Sequence, residues 1–288
     1  MLSVTLILIL TACNGGSGDQ QESQDSDEQE KKSISIGLDP YDYATVPAYL
    51  SKEILEQEGY QVEIMEGEVG VLYEALSNED IEAFIDVWSP NLHSTYLKEY
   101  KDDFEVAGTL YSDMPNGVAV PTYMEDVNSI EDLKQHKEKF DETIYAIEPG
   151  SGTAQTTERM VETYDMQDFE IQNSSTAAMM TQVQREIDNN NGIVFNAWRP
   201  HPMFVRFDIK FLDDPKNSWK DDDVQIGVTD DLKEQSPTAH MLFSNMELTL
   251  DMVEEWQISL DSEEKSAEEL AETWVKENQD KVDKWLEK

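Results

Sequence analysis

From residue 33 the chain alternates short apolar runs with longer stretches whose apolar residues recur every three or four positions. "SISIGL" (33–38) predicts a strand, and "VPAYLSKEILEQEGY" predicts a helix on the spacing of Tyr49, Ile54 and Leu55, with Gly59 as its stop. "QVEIME" is the next strand, "GVLYEALSNEDI" a short helix, and "EAFIDVW" a third strand. After "GVAVP" (117–121), a strand that leaves this unit, a second βα series begins. "SIEDLKQHKEKF" is a helix with Ser129 as N-cap and Asp132 in the place of the usual glutamate of a capping box. "TIYAIEP", "EIQNSS" and "GIVFNAW" are strands, separated by helices over "GTAQTTERMVETY" and "AAMMTQVQREIDNN". A strand over "VQIGVTD" and a helical tail from about residue 237 complete the pattern, with Leu270, Trp274 and Trp285 mostly on one face.

Strands alternating with helices predict an α/β protein whose mainly parallel sheets are covered on both faces. Two such series predict two lobes. The first spans 33–118 and resumes over 209–288; the second, 119–208, is inserted between. Two crossings then join the lobes and leave a cleft with a hinge. Small ligands bind in such clefts, at the C-terminal ends of parallel strands.

The stretch before residue 33 has a different character. Residues 2–10, "LSVTLILIL", are apolar but far shorter than the roughly 20 residues a membrane-spanning helix needs. They match the core of a secretion signal over residues 1–13. "LTAC" resembles a bacterial lipobox, which makes Cys13 a candidate lipid anchor. Residues 14–32 carry no apolar side chain and are expected to form a disordered tether. Together these features predict a monomeric folded body held at the outer face of a cell membrane, as in Gram-positive lipoproteins. Cys13 is the single cysteine, so no intrachain disulfide forms. The excess of 62 acidic over 21 basic residues gives a formal net charge of −41. That charge repels phosphate backbones and excludes nucleic acid as a partner. It also suits salty external water, where self-repulsion is screened over about 8 Å or less.

The candidate chemistry sits at strand ends. The first strand runs into "GLDPYDY" with Tyr41 and Tyr43, the third ends in Trp88, and "NAW" ends in Trp198. Of the tyrosines, Tyr41 is the stronger candidate. Trp88 and Trp198 each precede a proline turn, whereas Trp219, Trp256, Trp274 and Trp285 lie in a polar loop or on helices and are expected to pack. Aromatic faces attract cations by about 0.5–2 kcal/mol per ring, and several rings form a cage for a quaternary ammonium group. "IEPGSGT" (147–153) carries a strand through a Gly-rich turn into a helix start at Gly152 and Thr153, where free N–H groups attract an anion. It lacks the Lys-Ser/Thr pair of a P-loop. His93, five residues after Trp88, offers that anion a hydrogen bond or a positive charge. His201 in "WRPHP" either joins the site or braces its turn, and Arg199 is a weaker anion partner. A cation site and an anion site in one small cleft describe a betaine.

In "DVWSPNLH", "IEPGSGT", "NSSTAAMMTQV", "NAWRPHPMF", "KFLDDPK" and "VNSIEDLK" the chain resembles the glycine betaine-binding proteins of osmoprotectant ABC importers, over essentially all of residues 33–288. The resemblance implies a two-lobe, periplasmic-binding-protein-like fold of type II that closes on its ligand and then docks on permease subunits. It implies cage roles for Trp88 and Trp198, with Tyr41 standing where the family has a third tryptophan. The backbone N–H groups of Gly152 and Thr153 and the His93 side chain then take the ligand carboxylate. A tryptophan common in the family after the histidine of the second turn is replaced here by Pro202. Choline and carnitine binders of the same class use similar cages, and a sensing module without transport is a further alternative. An enzyme is not expected: G-x-S-x-G, H-E-x-x-H and Cys/His metal spacings are absent, and no cofactor or metal is implied.

Overall fold

The computed structural model describes residues 32–262 and 265–288. The apolar leader, Cys13 and all of the tether but its last residue lie outside them. The chain opens with β1 (Ser33–Leu38), whose Ile34 and Ile36 are fully buried. Next come α1 (Asp42–Gln57), β2 (Gln61–Glu66), α2 (Val69–Ser77), β3 (Ala83–Ser89), α3 (Ser94–Glu99) and β4 (Glu105–Met114). The inserted series holds β5 (Asn116–Pro121), α4 (Ile130–Gln135), β6 (Thr143–Ala146), α5 (Gly152–Thr163) and β7 (Glu170–Asn173). It continues with α6 (Thr176–Asp188), β8 (Phe195–Trp198), α7 (Met203–Arg206) and β9 (Ile209–Phe211). β10 (Asp222–Val228) returns the chain to the first unit. It is followed by α8 (Leu232–Gln235), α9 (Pro237–Asn245), α10 (Leu250–Asp261), α11 (Ala267–Glu277) and α12 (Gln279–Trp285).

Two five-stranded sheets result, ordered β2-β1-β3-β10-β4 and β7-β6-β8-β5-β9. β1 pairs in parallel with β2 and β3, and β6 in parallel with β7 and β8. β10 runs antiparallel to both β3 and β4, and β5 antiparallel to both β8 and β9. The sheets are therefore mixed rather than mainly parallel. The parallel strands are those linked by a covering helix; the antiparallel ones are those through which the chain leaves a lobe or comes back.

The crossings also fall a few residues from the expected places. β5 begins at Asn116 and β9 ends at Phe211, both in the second sheet, so the chain crosses at Pro115 and again over 212–221. The Asn116 amide donates to the Lys220 carbonyl at 2.9 Å, tying the two crossings together.

Local chemistry accounts for the helix starts that matter. Ser129 caps α4, and Asp132 reaches back to the Ser129 N–H at 3.0 Å, so the capping box forms with aspartate. Ser151 caps α5 by accepting from the Ala154 N–H at 3.1 Å. Helix α4 stops at Gln135, short of the expected span, and a 3₁₀ turn over Lys137–Phe140 buries Phe140. The C-terminal helices pack as an aromatic layer in which Trp274 and Trp285 stack at 5.3 Å and Trp256 meets Trp274 edge-on. Trp219, in its polar loop, is buried with its indole N–H on the Met160 sulfur.

Candidate ligand-binding site

β3 is buried along almost its whole length and delivers Trp88 at its C-terminal end, while β8 delivers Trp198 from the other lobe. A cis Ser89–Pro90 bond follows the first and a cis Arg199–Pro200 bond the second. Tyr41 is the N-cap of α1, and Tyr43 lies in its first turn. The four rings converge on one small hollow. Its walls also include His93, Gly152 and Thr153 together with Leu92, Ile147 and Ser151. Tyr41 and Tyr43 stack in parallel at 5.6 Å, Trp198 stands edge-on to Tyr41 at 6.1 Å, and Trp88 edge-on to Tyr43 at 5.8 Å. Burial pushes both tyrosine hydroxyls above their ordinary range, so the rings present neutral π faces.

The opposite wall is polar. Gly152 and Thr153 are the first residues of α5, so their N–H groups have no carbonyl to meet within the helix, and the positive end of a twelve-residue dipole points the same way. His93 stands beside them. Its Nδ1 accepts the Trp88 backbone N–H at 3.2 Å and lies 3.1 Å from the Tyr73 hydroxyl, which donates to it. That pairing leaves the proton on Nε2. Burial pushes the His93 pKa down to about 3, so the ring is a neutral donor. Of the two roles open to His93 in the sequence, a hydrogen bond or a positive charge, the surroundings permit the hydrogen bond.

His201 lies elsewhere. Its ring packs on Trp198 at 4.7 Å, and its Nδ1 accepts the Met203 N–H at 3.1 Å, so it braces the turn after β8. It faces a second, outer groove on the far side of Tyr41, together with Arg206 and Asp261. Arg199 sits over the Phe204 ring and near Glu254, away from the hollow. Leu92, Ile147 and Ser151 also line the hollow; they lie inside the motifs "DVWSPNLH" and "IEPGSGT", where nothing in the spacing distinguishes them from their neighbours.

The lobes touch around this hollow. The Tyr96 hydroxyl donates to the Gly150 carbonyl at 2.6 Å, and the Thr95 hydroxyl donates to Gln155 at 2.6 Å. On another flank Arg206 Nε donates to Asp261 at 2.9 Å, and the Gln257 amide donates to the Pro200 carbonyl at 3.3 Å.

Two α/β lobes closed over a hollow lined by aromatic rings are the arrangement of a two-lobe solute-binding domain. The model of the substrate-binding domain of ABC-type glycine betaine transport systems matches residues 32–277, and the chain belongs to that family. A glycine betaine/carnitine transport binding protein of Listeria monocytogenes is 35% identical over 153 residues. That alignment covers 52% of this chain and 51% of the relative, so it spans about half the length of the curated protein it matches. Among solved structures, the lactococcal protein in its closed form with glycine betaine superposes with a TM-score of 0.82 at 28% identity. The superposition covers 89% of this chain and 100% of that one. The glycine betaine/L-proline-binding protein of Borrelia burgdorferi gives a TM-score of 0.84 at 28% identity, over 88% and 96% of the two chains. An ABC-transporter choline-binding protein in complex with choline gives 0.83 at 26%, over 88% and 91%.

Proposed function

We propose that this chain captures a betaine, with glycine betaine first among candidates, and hands it to the permease of an ABC importer. The observation that carries this reading is the meeting, in one hollow, of four rings from two lobes with a helix N-terminus and a neutral histidine donor. A quaternary ammonium has no N–H to offer a carboxylate but is drawn to aromatic faces. A carboxylate a few ångströms away meets the Gly152 and Thr153 N–H groups and His93 Nε2–H. Trp88, Trp198, Tyr41 and Tyr43 are the cage in this reading, and His201 supports Trp198 from behind. Ligand capture stabilises the closed pairing of the lobes, and the closed shape is what the permease recognises. Cys13 serves as a lipid anchor holding a monomeric receptor at the outer face of the membrane.

Calorimetric titration with glycine betaine, choline and carnitine tests the reading. Glycine betaine is expected to bind with a Kd on the order of micromolar, about −8 kcal/mol, and to change the tryptophan fluorescence. Silence in both signals for all three ligands would remove the proposal. Choline is the second reading, because two buried acids lie behind the rings (Asp39 and Asp86) and favour a full cation. Tighter binding of choline than of betaine would select it.

The state of His93 makes a separate prediction. The folded ring stays neutral down to about pH 3, whereas an unfolded histidine protonates near 6.5. The stability this burial implies is whole above about pH 6.5 and is lost progressively as pH falls towards 3. Affinity for a betaine is accordingly expected to hold within about twofold between pH 5 and 8. A charged imidazolium partner would instead give a loss approaching tenfold per unit above its pKa, and titrations across that range distinguish the two.

A further inference from the structure

Behind the rings lie the two acids that touch no ligand in the betaine scheme above. Asp86 sits in the middle of β3 and Asp39 just past the end of β1. These strands pair in parallel with Gly37 opposite Phe84, and the same register carried two residues further sets Asp39 beside Asp86. Both are buried, at 2% and 1% exposure. Asp86 Oδ1 accepts the Trp88 indole N–H at 2.8 Å, and Oδ2 accepts the Tyr43 hydroxyl at 3.0 Å. One carboxylate thus fixes two of the four rings. Neither oxygen of Asp39 has a hydrogen-bond partner among the described residues.

This asymmetry decides which acid is charged. The donors on Asp86 favour its ionised form, against the burial that pushes its pKa up. Asp39 has no such donors. Burial and the neighbouring Asp86 carboxylate push its pKa well above the ordinary range, which makes it the better holder of a proton in the pair. No ion pair among the described residues reaches either acid, so a charge left on Asp86 meets no lysine or arginine there. An uncompensated buried charge costs several kcal/mol, and an apolar side chain would serve the fold better. The missing positive partner is what a quaternary ammonium in the cage supplies.

We propose that the Asp86 carboxylate is the counter-charge of the cage, holding Trp88 and Tyr43 in place and presenting a negative charge through them to the ligand's onium group. The proposal rests on the betaine reading and sharpens it: the site selects for positive charge, not only for three methyl groups. Rings alone favour a cation through their quadrupole, but a full anion behind them acts over a longer distance in a dry interior.

The test compares glycine betaine with 3,3-dimethylbutanoate, which has the same shape and carboxylate but carbon in place of the quaternary nitrogen. Betaine is measured by calorimetry, and the isostere by its displacement of betaine. The wild type is expected to prefer betaine on the order of 100-fold. In Asp86→Asn the betaine affinity should fall about 10- to 100-fold while the isostere is little affected, so the preference shrinks at least about tenfold. A parallel loss of both ligands would mean that Asp86 only shapes the pocket and would overturn the proposal, as would unchanged betaine affinity. If the isostere displaces betaine from neither protein, the tryptophan fluorescence of the ligand-free proteins completes the test: betaine loss in Asp86→Asn with an unchanged spectrum supports the counter-charge, and betaine loss with a shifted spectrum, or retained affinity, overturns it. Asp86→Ser is the second variant should the amide fail to fold, and equal binding of the two ligands by the wild type overturns the proposal without any variant. Wild-type protein that binds no onium ligand at all would remove the betaine reading itself, a distinct outcome.

Discussion

Replacing Gly152 by alanine should weaken glycine betaine binding by more than about 100-fold, equivalent to about 2.7 kcal/mol, while both lobes stay folded. Gly152 opens α5 and lies directly against the other lobe. A methyl group there would stand 2.3 Å from the Leu92 carbonyl oxygen, 2.6 Å from its carbon and 2.9 Å from His93 Cδ2. No real Cβ tolerates such distances, and the obstructing atoms are held. The Asn91 and Leu92 N–H groups both donate to Asp222, at 2.6 and 3.1 Å. The second lobe would have to back away instead, pulling the Gly152 and Thr153 N–H groups off His93 and Trp198 off Tyr41. Within its own lobe the alanine does no harm, because the position is a first helical turn and alanine is the better helix former. An unchanged melting temperature for the ligand-free protein with a lost calorimetric signal is the expected pair of results. Wild-type affinity in this variant would mean that the lobes do not close through this contact.

Trp88→Ala should remove measurable affinity altogether. The side chain closes one wall of the hollow, stands edge-on to Tyr43 and donates its indole N–H to Asp86. Truncation deletes a ring contact and frees the Tyr43 ring, and it lets water reach the cation site, which weakens every remaining electrostatic contact. A tryptophan of an ordinary core would cost about 3–5 kcal/mol of stability on the same change. Here the space it vacates opens into an existing hollow, so water fills it and the loss of stability should be smaller. Trp88→Phe, which keeps a ring but not the N–H, should fall between. Calorimetry reads the affinity and thermal unfolding the stability; an alanine variant that binds betaine normally would take Trp88 out of the cage.

Much of this site could be read from the chain because its residues occupy places that sequence marks well. β1 and β2 begin and end at the expected residues, since each is a short apolar alternation between turn signals. Trp88 and Trp198 end strands and precede prolines, and Gly152 follows a glycine turn, so the rings and the helix start could be located separately. That they face one another is a property of the two-lobe arrangement, which the two βα series predict and the family resemblance also implies.

The parts that escaped notice are those whose identity depends on partners. β4, "EVAGTLYSDM", is a half-exposed edge strand interrupted by Gly108, and it is a strand because β10 pairs with it. Strand direction leaves no mark on apolar spacing, so the antiparallel return of β10 was equally hidden. Tyr43 ranked below Tyr41 in the sequence, yet both line the hollow, and Tyr43 alone bonds Asp86. Asp86 did carry a signal. An aspartate inside "FIDVW", an otherwise apolar run destined for the centre of a sheet, is an expensive residue to bury without purpose.

The double crossing at Pro115 and over 212–221 restricts how such a receptor can move. Two tethers, themselves bonded through Asn116 and Lys220, leave one easy rotation about a line passing through both. A gap opened by that rotation widens with distance from the line. Solute must therefore come in from the rim remote from the tethers, and a crosslink placed at that rim would trap or exclude it, whereas one placed beside Asn116 would leave traffic almost untouched.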